Sequence, residues 1–142
     1  MAEYLMRKIG GSRFVVASAG TAPAGGVNPV ARKVLEERYQ IAPSEARSKS
    51  WEEFGGQDFD FVITLCDSSR EVCPAWPGDP VVAHWSSPDP VLFEGTPEET
   101  ERYFFQVAVV LKRRVELFCS LPFDKLDHLR LEKLTREVAL TK

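Results

Sequence analysis

Apolar residues follow two kinds of pattern along this chain, short unbroken runs and repeats of about 3.6 residues. Phe59 to Leu65 is the clearest run, of the kind buried on both faces of a parallel sheet, and it predicts a strand. Arg13 to Ala17, with Phe14-Val-Val-Ala, predicts a short buried strand, and Val81 to His84 another. Helical spacing appears at Leu5 and Ile9, beside Ala2 and Met6, so Met1 to Ile9 reads as a helix ended by Gly10-Gly11. Asn28 can cap a second helix, with Pro29 at its first position and Val30, Val34 and Leu35 facing inward.

Thr96-Pro-Glu-Glu starts the longest helix with an N-cap, a first-turn proline and two acids at the positive end. Its inner positions are Phe104, Val107, Ala108, Leu111, Val115 and Phe118, and Cys119 reads as a core cysteine. A last amphipathic helix is expected over Lys125 to Leu140, with Leu126, Leu129 and Leu134 on its buried side. Trp51 to Phe54 predicts a helical turn, and Pro23, Gly25, Gly26 and Ser87-Pro-Asp-Pro-Val91 mark loops. Strands alternating with helices make an α/β fold, a parallel sheet covered by helices.

Composition narrows the function classes. The chain has 142 residues, 44% hydrophobic, enough for one core. A net charge of −3 and no long basic run argue against nucleic acid as partner. Lys112-Arg113-Arg114 lies within a helical pattern and is expected to be a solvated face. No apolar run is long enough for a membrane span. Met1 to Ile9 lacks the basic start and apolar run of a signal peptide. Three cysteines are no secreted disulfide framework, which makes the cytoplasm the expected compartment.

Two of those cysteines, Cys66 and Cys73, bracket a loop after the main strand. The carboxyl edge of an open α/β sheet is where ligands and chemistry gather. The pair can join only if its loop bends, because bridged Cα atoms lie about 4.4–6.8 Å apart. Spacing alone leaves two readings, a redox pair and two unrelated half-buried thiols.

Ser18-Ala-Gly-Thr21, Val27-Asn-Pro-Val30, Ala46-Arg-Ser-Lys-Ser50, Val62-Ile-Thr-Leu-Cys66, Cys73-Pro74, His84-Trp-Ser86 and Asp89-Pro90 occur in that order. Together they resemble the low-molecular-weight protein tyrosine phosphatase superfamily, in particular its thioredoxin-coupled arsenate reductase branch. The resemblance runs from Met1 to about Phe118. It implies a three-layer domain over residues 1–121, with residues 122–142 as a helical extension packed on it. The family's first, central strand and its phosphate-binding loop (Cys, five residues, Arg, Ser) precede a helix opening Met-Ala-Glu, which is how this sequence starts. That strand and loop, roughly 15 residues, are therefore expected to be absent from these 142, leaving the chain inactive by itself.

For a chain carrying the loop, the resemblance implies reduction of arsenate to arsenite. The loop cysteine forms an arsenate adduct, Cys66 attacks that cysteine, and Cys73 attacks Cys66 to leave a Cys66–Cys73 disulfide. Thioredoxin, or glutaredoxin in related variants, would reduce it. Asp89 matches the family's general acid, held on a proline-flanked loop; capping a turn is its bland alternative. Glu3 and Ser18 match positions where some relatives bind potassium, and are read here as supporting hydrogen-bond partners. Lys49 stands where those relatives carry a further acid, so its ammonium is expected in the cation's place. No cofactor or metal is expected. His84 and Trp85 are read as packing and polar support. The alternatives are a tyrosine phosphatase, disfavoured because no tyrosine follows Asp89-Pro90, and a non-catalytic remnant.

Overall fold

A computed structural model describes residues 1–20, 26–66 and 76–141. Among the described residues four α-helices, α1 (Ala2–Gly10), α2 (Pro29–Tyr39), α3 (Pro97–Cys119) and α4 (His128–Glu137), surround two parallel strands, β1 (Phe61–Thr64) and β2 (Val81–His84). This is an α/β architecture with a small parallel sheet flanked by helices.

The starts of α2 and α3 have local causes. The Asn28 side chain accepts from the amides of Val30 (2.8 Å) and Ala31 (3.3 Å), and Pro29 fills the first turn of α2 where no amide is needed. Thr96 and Glu99 form a reciprocal capping box, both bonds 3.2 Å, which fixes the start of α3. Helices α1 and α2 both pack on α3. Leu5, Leu35, Val107 and Leu111 form one core cluster there, and Val34, Phe104 and Ala108 an adjoining one.

Behind the sheet, α3 meets β2 and the C-terminal segment. Ala83, Trp85, Val115, Phe118, Cys119 and Val138 are all buried in that layer. The long helix thus uses every inner position its spacing predicts, and Cys119 lies in the core as expected.

The strands depart from the sequence pattern. β1 spans four residues, all only half-buried, where Phe59 to Leu65 suggested burial on both faces. Arg13 to Ala17 forms no strand. Val15 is fully exposed at 101%, although Phe14 packs on Phe118 and Phe123. A strand needs a ladder partner for its backbone groups. Among the described residues the ladder contact nearest to it is an isolated parallel bridge between Gly20 and Ser50, beyond the segment's end. Among the described residues no strand covers the edge of β1 opposite β2.

The C-terminal segment is also corrected. Helix α4 is shorter than Lys125 to Leu140, with 3-10 turns at Phe123–Lys125 and Val138–Leu140. Leu126 and Leu134 are half-buried, but Leu129 is 78% exposed; Thr135 and Val138 are the buried residues. The expected solvated face Lys112-Arg113-Arg114 fails at its last member, since Arg114 is 6% exposed. Residues arriving from elsewhere in the chain enclose it.

Burial pushes the Cys119 thiol above its ordinary pKa of 9.0, with nearby Arg13 opposing this more weakly. In the unfolded chain that thiol ionises near 9.0, while in the folded chain it stays protonated. The folded state then binds more protons above that pH, so stability falls as pH rises, by at most about 1.4 kcal/mol per pH unit for one proton. The fall ends once the folded thiol ionises too. Chemical unfolding between pH 8 and 10 checks this, with Cys119→Ala expected to show a shallower decline.

Candidate functional site

The parallel ladder continues beyond its last strand residues. The Trp85 amide donates to the Thr64 carbonyl at 2.8 Å, and the Ser87 amide to the Leu65 carbonyl at 2.8 Å. These bonds bring the Ser86–Asp89 loop alongside Cys66 at the carboxyl edge of the sheet. Thr64 Oγ1 and His84 Nδ1, 2.7 Å apart, join the two strands at the same level.

A cavity of about 280 Å³ opens at this edge. Cys66 and Asp89 both line it, with Asn28 and Ala31 from the start of α2 and Met1 and Ala2 from the start of α1. Two helix N-termini therefore point their positive ends toward one space, an arrangement that favours an anion. The first amides of α2 are occupied by Asn28, whereas the start of α1 has no side-chain cap. Phe104, Val107 and Leu111 of α3 form an apolar floor that limits solvent and strengthens electrostatics within.

Asp89 is exposed and sits between Pro88 and Pro90, whose fixed φ values stiffen its loop. Its Oδ1 accepts from the Val91 amide at 3.1 Å and caps the 3-10 turn Pro90–Leu92. Turn capping, the bland alternative for this residue, is thus present. It engages one carboxylate oxygen and is compatible with proton transfer through the other. Cys73, the second member of the expected thiol pair, lies outside the described residues.

Glu3 and Ser18 meet in a separate cluster beside the cavity. Ser18 Oγ donates to Glu3 Oε2, Arg7 pairs with Oε1 at 2.7 Å, and Lys49 Nζ lies 3.5 Å from Oε2. Glu3 is buried at 8%, and the Lys49 side chain is 10% exposed. An ammonium thus stands next to the carboxylate. The cluster joins α1 to the segments carrying Ser18 and Lys49, which are distant in sequence.

Glu3→Ala is expected to lower the unfolding free energy by about 2–3 kcal/mol. This is below the 3–5 typical of a fully buried pair, because Lys49 also donates to the Arg47 carbonyl at 3.4 Å. Lys49→Met should cost less than about 1 kcal/mol, since Arg7 and Ser18 still serve the carboxylate. Urea titration of both variants checks the ordering.

Asn28, Met1 and Ala2 were missed as site residues. The N-cap signal at Asn28 was visible, but not which cavity that helix start would face.

Residues 1–126 match the family model described as low molecular weight phosphotyrosine protein phosphatase. The chain is 38% identical over 120 residues to an arsenate reductase of Halalkalibacterium halodurans, covering 84% of this chain and 85% of that protein. It is 31% identical over 90 residues to a glutaredoxin arsenate reductase of Synechocystis, covering 63% and 67% respectively. The crystal structure of an arsenate reductase from Archaeoglobus fulgidus superposes with a TM-score of 0.64 at 27% identity, covering 84% of this chain and 88% of that one. Fold, motif order and sequence agree, and the chain belongs to the low molecular weight phosphotyrosine protein phosphatase family.

Proposed function

We propose that this chain is the body of an arsenate reductase that ends its reaction in a Cys66–Cys73 disulfide. The observation that carries the reading is the shared cavity of Cys66 and Asp89 under two helix N-termini. A tetrahedral oxyanion fits that electrostatic setting, and relatives 32–38% identical over 120 residues are named arsenate reductases.

The reading puts the nucleophilic cysteine and the oxyanion-binding arginine of the family loop outside residues 1–142. The edge of β1 opposite β2, uncovered by any strand among the described residues, and the exposed Val15 support it, since a strand between them would pair backbone and cover apolar surface. The loop thiolate displaces a hydroxyl of arsenate, with Asp89 giving the proton to the leaving oxygen. The Cys66 thiolate then attacks the loop cysteine's sulfur. The sulfur–arsenic electron pair stays on arsenic, arsenite leaves, and a loop cysteine–Cys66 disulfide remains. Cys73 attacks Cys66 and frees the loop thiolate. A dithiol protein, thioredoxin or else glutaredoxin, reduces the Cys66–Cys73 bond. Glu3 and Ser18 support the site by tying α1 to its neighbours. The compartment is the cytoplasm, where such thiols are kept reduced between turnovers.

The tyrosine phosphatase reading is second. Phe93 follows Asp89-Pro90 closely, but its ring stacks on Tyr103 at 4.6 Å and 21°, which commits it to packing rather than to a substrate ring. One experiment separates the readings. The chain is compared with a version extended by a family-type strand and Cys-X5-Arg-Ser loop, assaying arsenite formation with a thioredoxin system and hydrolysis of an aryl phosphate. Thioredoxin-dependent arsenite from the extended chain alone is the expected result. Aryl phosphate hydrolysis without arsenite would establish the phosphatase, and neither activity would leave a non-catalytic remnant.

A further inference from the structure

Arg114 is buried at 6% within α3, yet among the described residues no carboxylate pairs with it. Its guanidinium instead donates to three backbone carbonyls. Nε reaches Thr141 at 2.9 Å, one terminal nitrogen reaches Ser86 at 2.8 Å, and the other reaches Ala139 at 3.0 Å. A planar fork with five N–H groups can hold several acceptors in fixed relation, which an ammonium cannot do.

Those three carbonyls belong to two segments. Ala139 and Thr141 follow α4 at the C-terminal end, and Ser86 opens the loop that carries Asp89. Neighbouring bonds reinforce the same junction. Trp85 Nε1 donates to the Thr135 carbonyl at 2.9 Å, with Trp85 only 2% exposed. The Ser87 amide is held by Leu65, the residue before Cys66. The peptide between Ser86 and Ser87 is thus gripped from one side by Leu65, just beyond β1, and from the other by Arg114.

We propose that Arg114, together with the C-terminal segment it holds, is a positioning residue that sets the Ser86–Leu92 loop, and so Asp89, against Cys66. Pro88 and Pro90 restrict the backbone on either side of Asp89, so a displacement at Ser86 is carried along the loop instead of being absorbed. The significance for catalysis rests on the proposed role of Asp89, whereas the anchoring itself does not.

The test is amide hydrogen exchange, resolved by residue, on the full chain and on Arg114→Met and Arg114→Lys. Loss of the fork is expected to speed exchange at Ser87, Leu92 and Phe93 by roughly ten-fold or more, with the β1–β2 ladder and α1 unchanged, the signature of a local opening. Arg114→Lys keeps the charge and one donor group, and should recover part of the protection at Ser87. Faster exchange confined to residues 139–141, or an equal rise throughout the fold, would overturn the proposal. If Arg114→Met is recovered unfolded, the same comparison is made on Arg114→Lys alone. Asp89→Asn, assayed for arsenite in the extended chain, tests the acid reading separately, so that failure of either leaves the other standing.

Discussion

Cys66→Ser in the loop-bearing chain will form no arsenite above the uncatalysed level, whereas Cys73→Ser will form about one arsenite per chain and then stop. The difference follows from electron counting. Arsenate to arsenite takes two electrons, supplied when two thiols become one disulfide. Without Cys66 the relay lacks the thiol that attacks the adduct, and a serine hydroxyl is neither ionised nor oxidisable in that step. Without Cys73 the first exchange proceeds, but the loop cysteine stays trapped in a disulfide with Cys66. Over many turnovers both variants lose activity by more than about 100-fold, the scale expected when a nucleophile is removed. Arsenite quantified in a single turnover, with peptide mapping of the disulfides, distinguishes them. Equal arsenite from both variants would remove Cys66 from the relay.

Phe118→Ala is expected to destabilise the fold by about 3–5 kcal/mol, the range for deleting a large buried aromatic side chain. Phe118 is 2% exposed near the end of α3. Its ring lies 4.9 Å from Phe61, 5.1 Å from Phe123, and 5.7 Å from both Phe14 and Trp85. Three of these contacts are edge-on, the geometry that aromatic quadrupoles favour. One ring therefore joins the extended segment after α1, both strand regions and the turn before α4. These elements cannot all close around an alanine, so a cavity remains. Urea unfolding should show a lower midpoint with an unchanged slope. Phe123→Ala, at a half-buried ring, should cost clearly less. A Phe118→Ala loss below about 1 kcal/mol would mean that the cluster repacks freely.

The helices were legible from local rules. Asn28 and Thr96 cap them where the pattern places them, because a cap depends on residues within three positions of it. The inner stripe of α3 from Phe104 to Phe118 was legible for the same kind of reason, since its spacing matches the helical period. Strand ends were less so. Phe59 to Leu65 carries the apolar content of a fully covered strand, yet burial of β1 depends on what lies on its far edge. The motifs quoted from Ser18 to Pro90 identified the family, and the cavity then gathered five of their residues, Asn28, Leu65, Cys66, Asp89 and Pro90, in one place.

By itself the sequence determined the α/β class, the starts of α2 and α3, the core face of α3 and the thiol and acid that line the cavity. Tertiary structure alone decided the fate of Arg114 and Leu129. In sequence Arg114 follows two other cations and looks solvated. It is buried because carbonyls from Ser86, Ala139 and Thr141 converge on it from 25 to 28 residues away. Leu129 sits at a helical spacing that suggests burial, yet α4 turns Thr135 inward to meet Trp85 and leaves Leu129 in water. Periodicity gives the relative angle of side chains around a helix, but the face that is covered is set by the partner it meets.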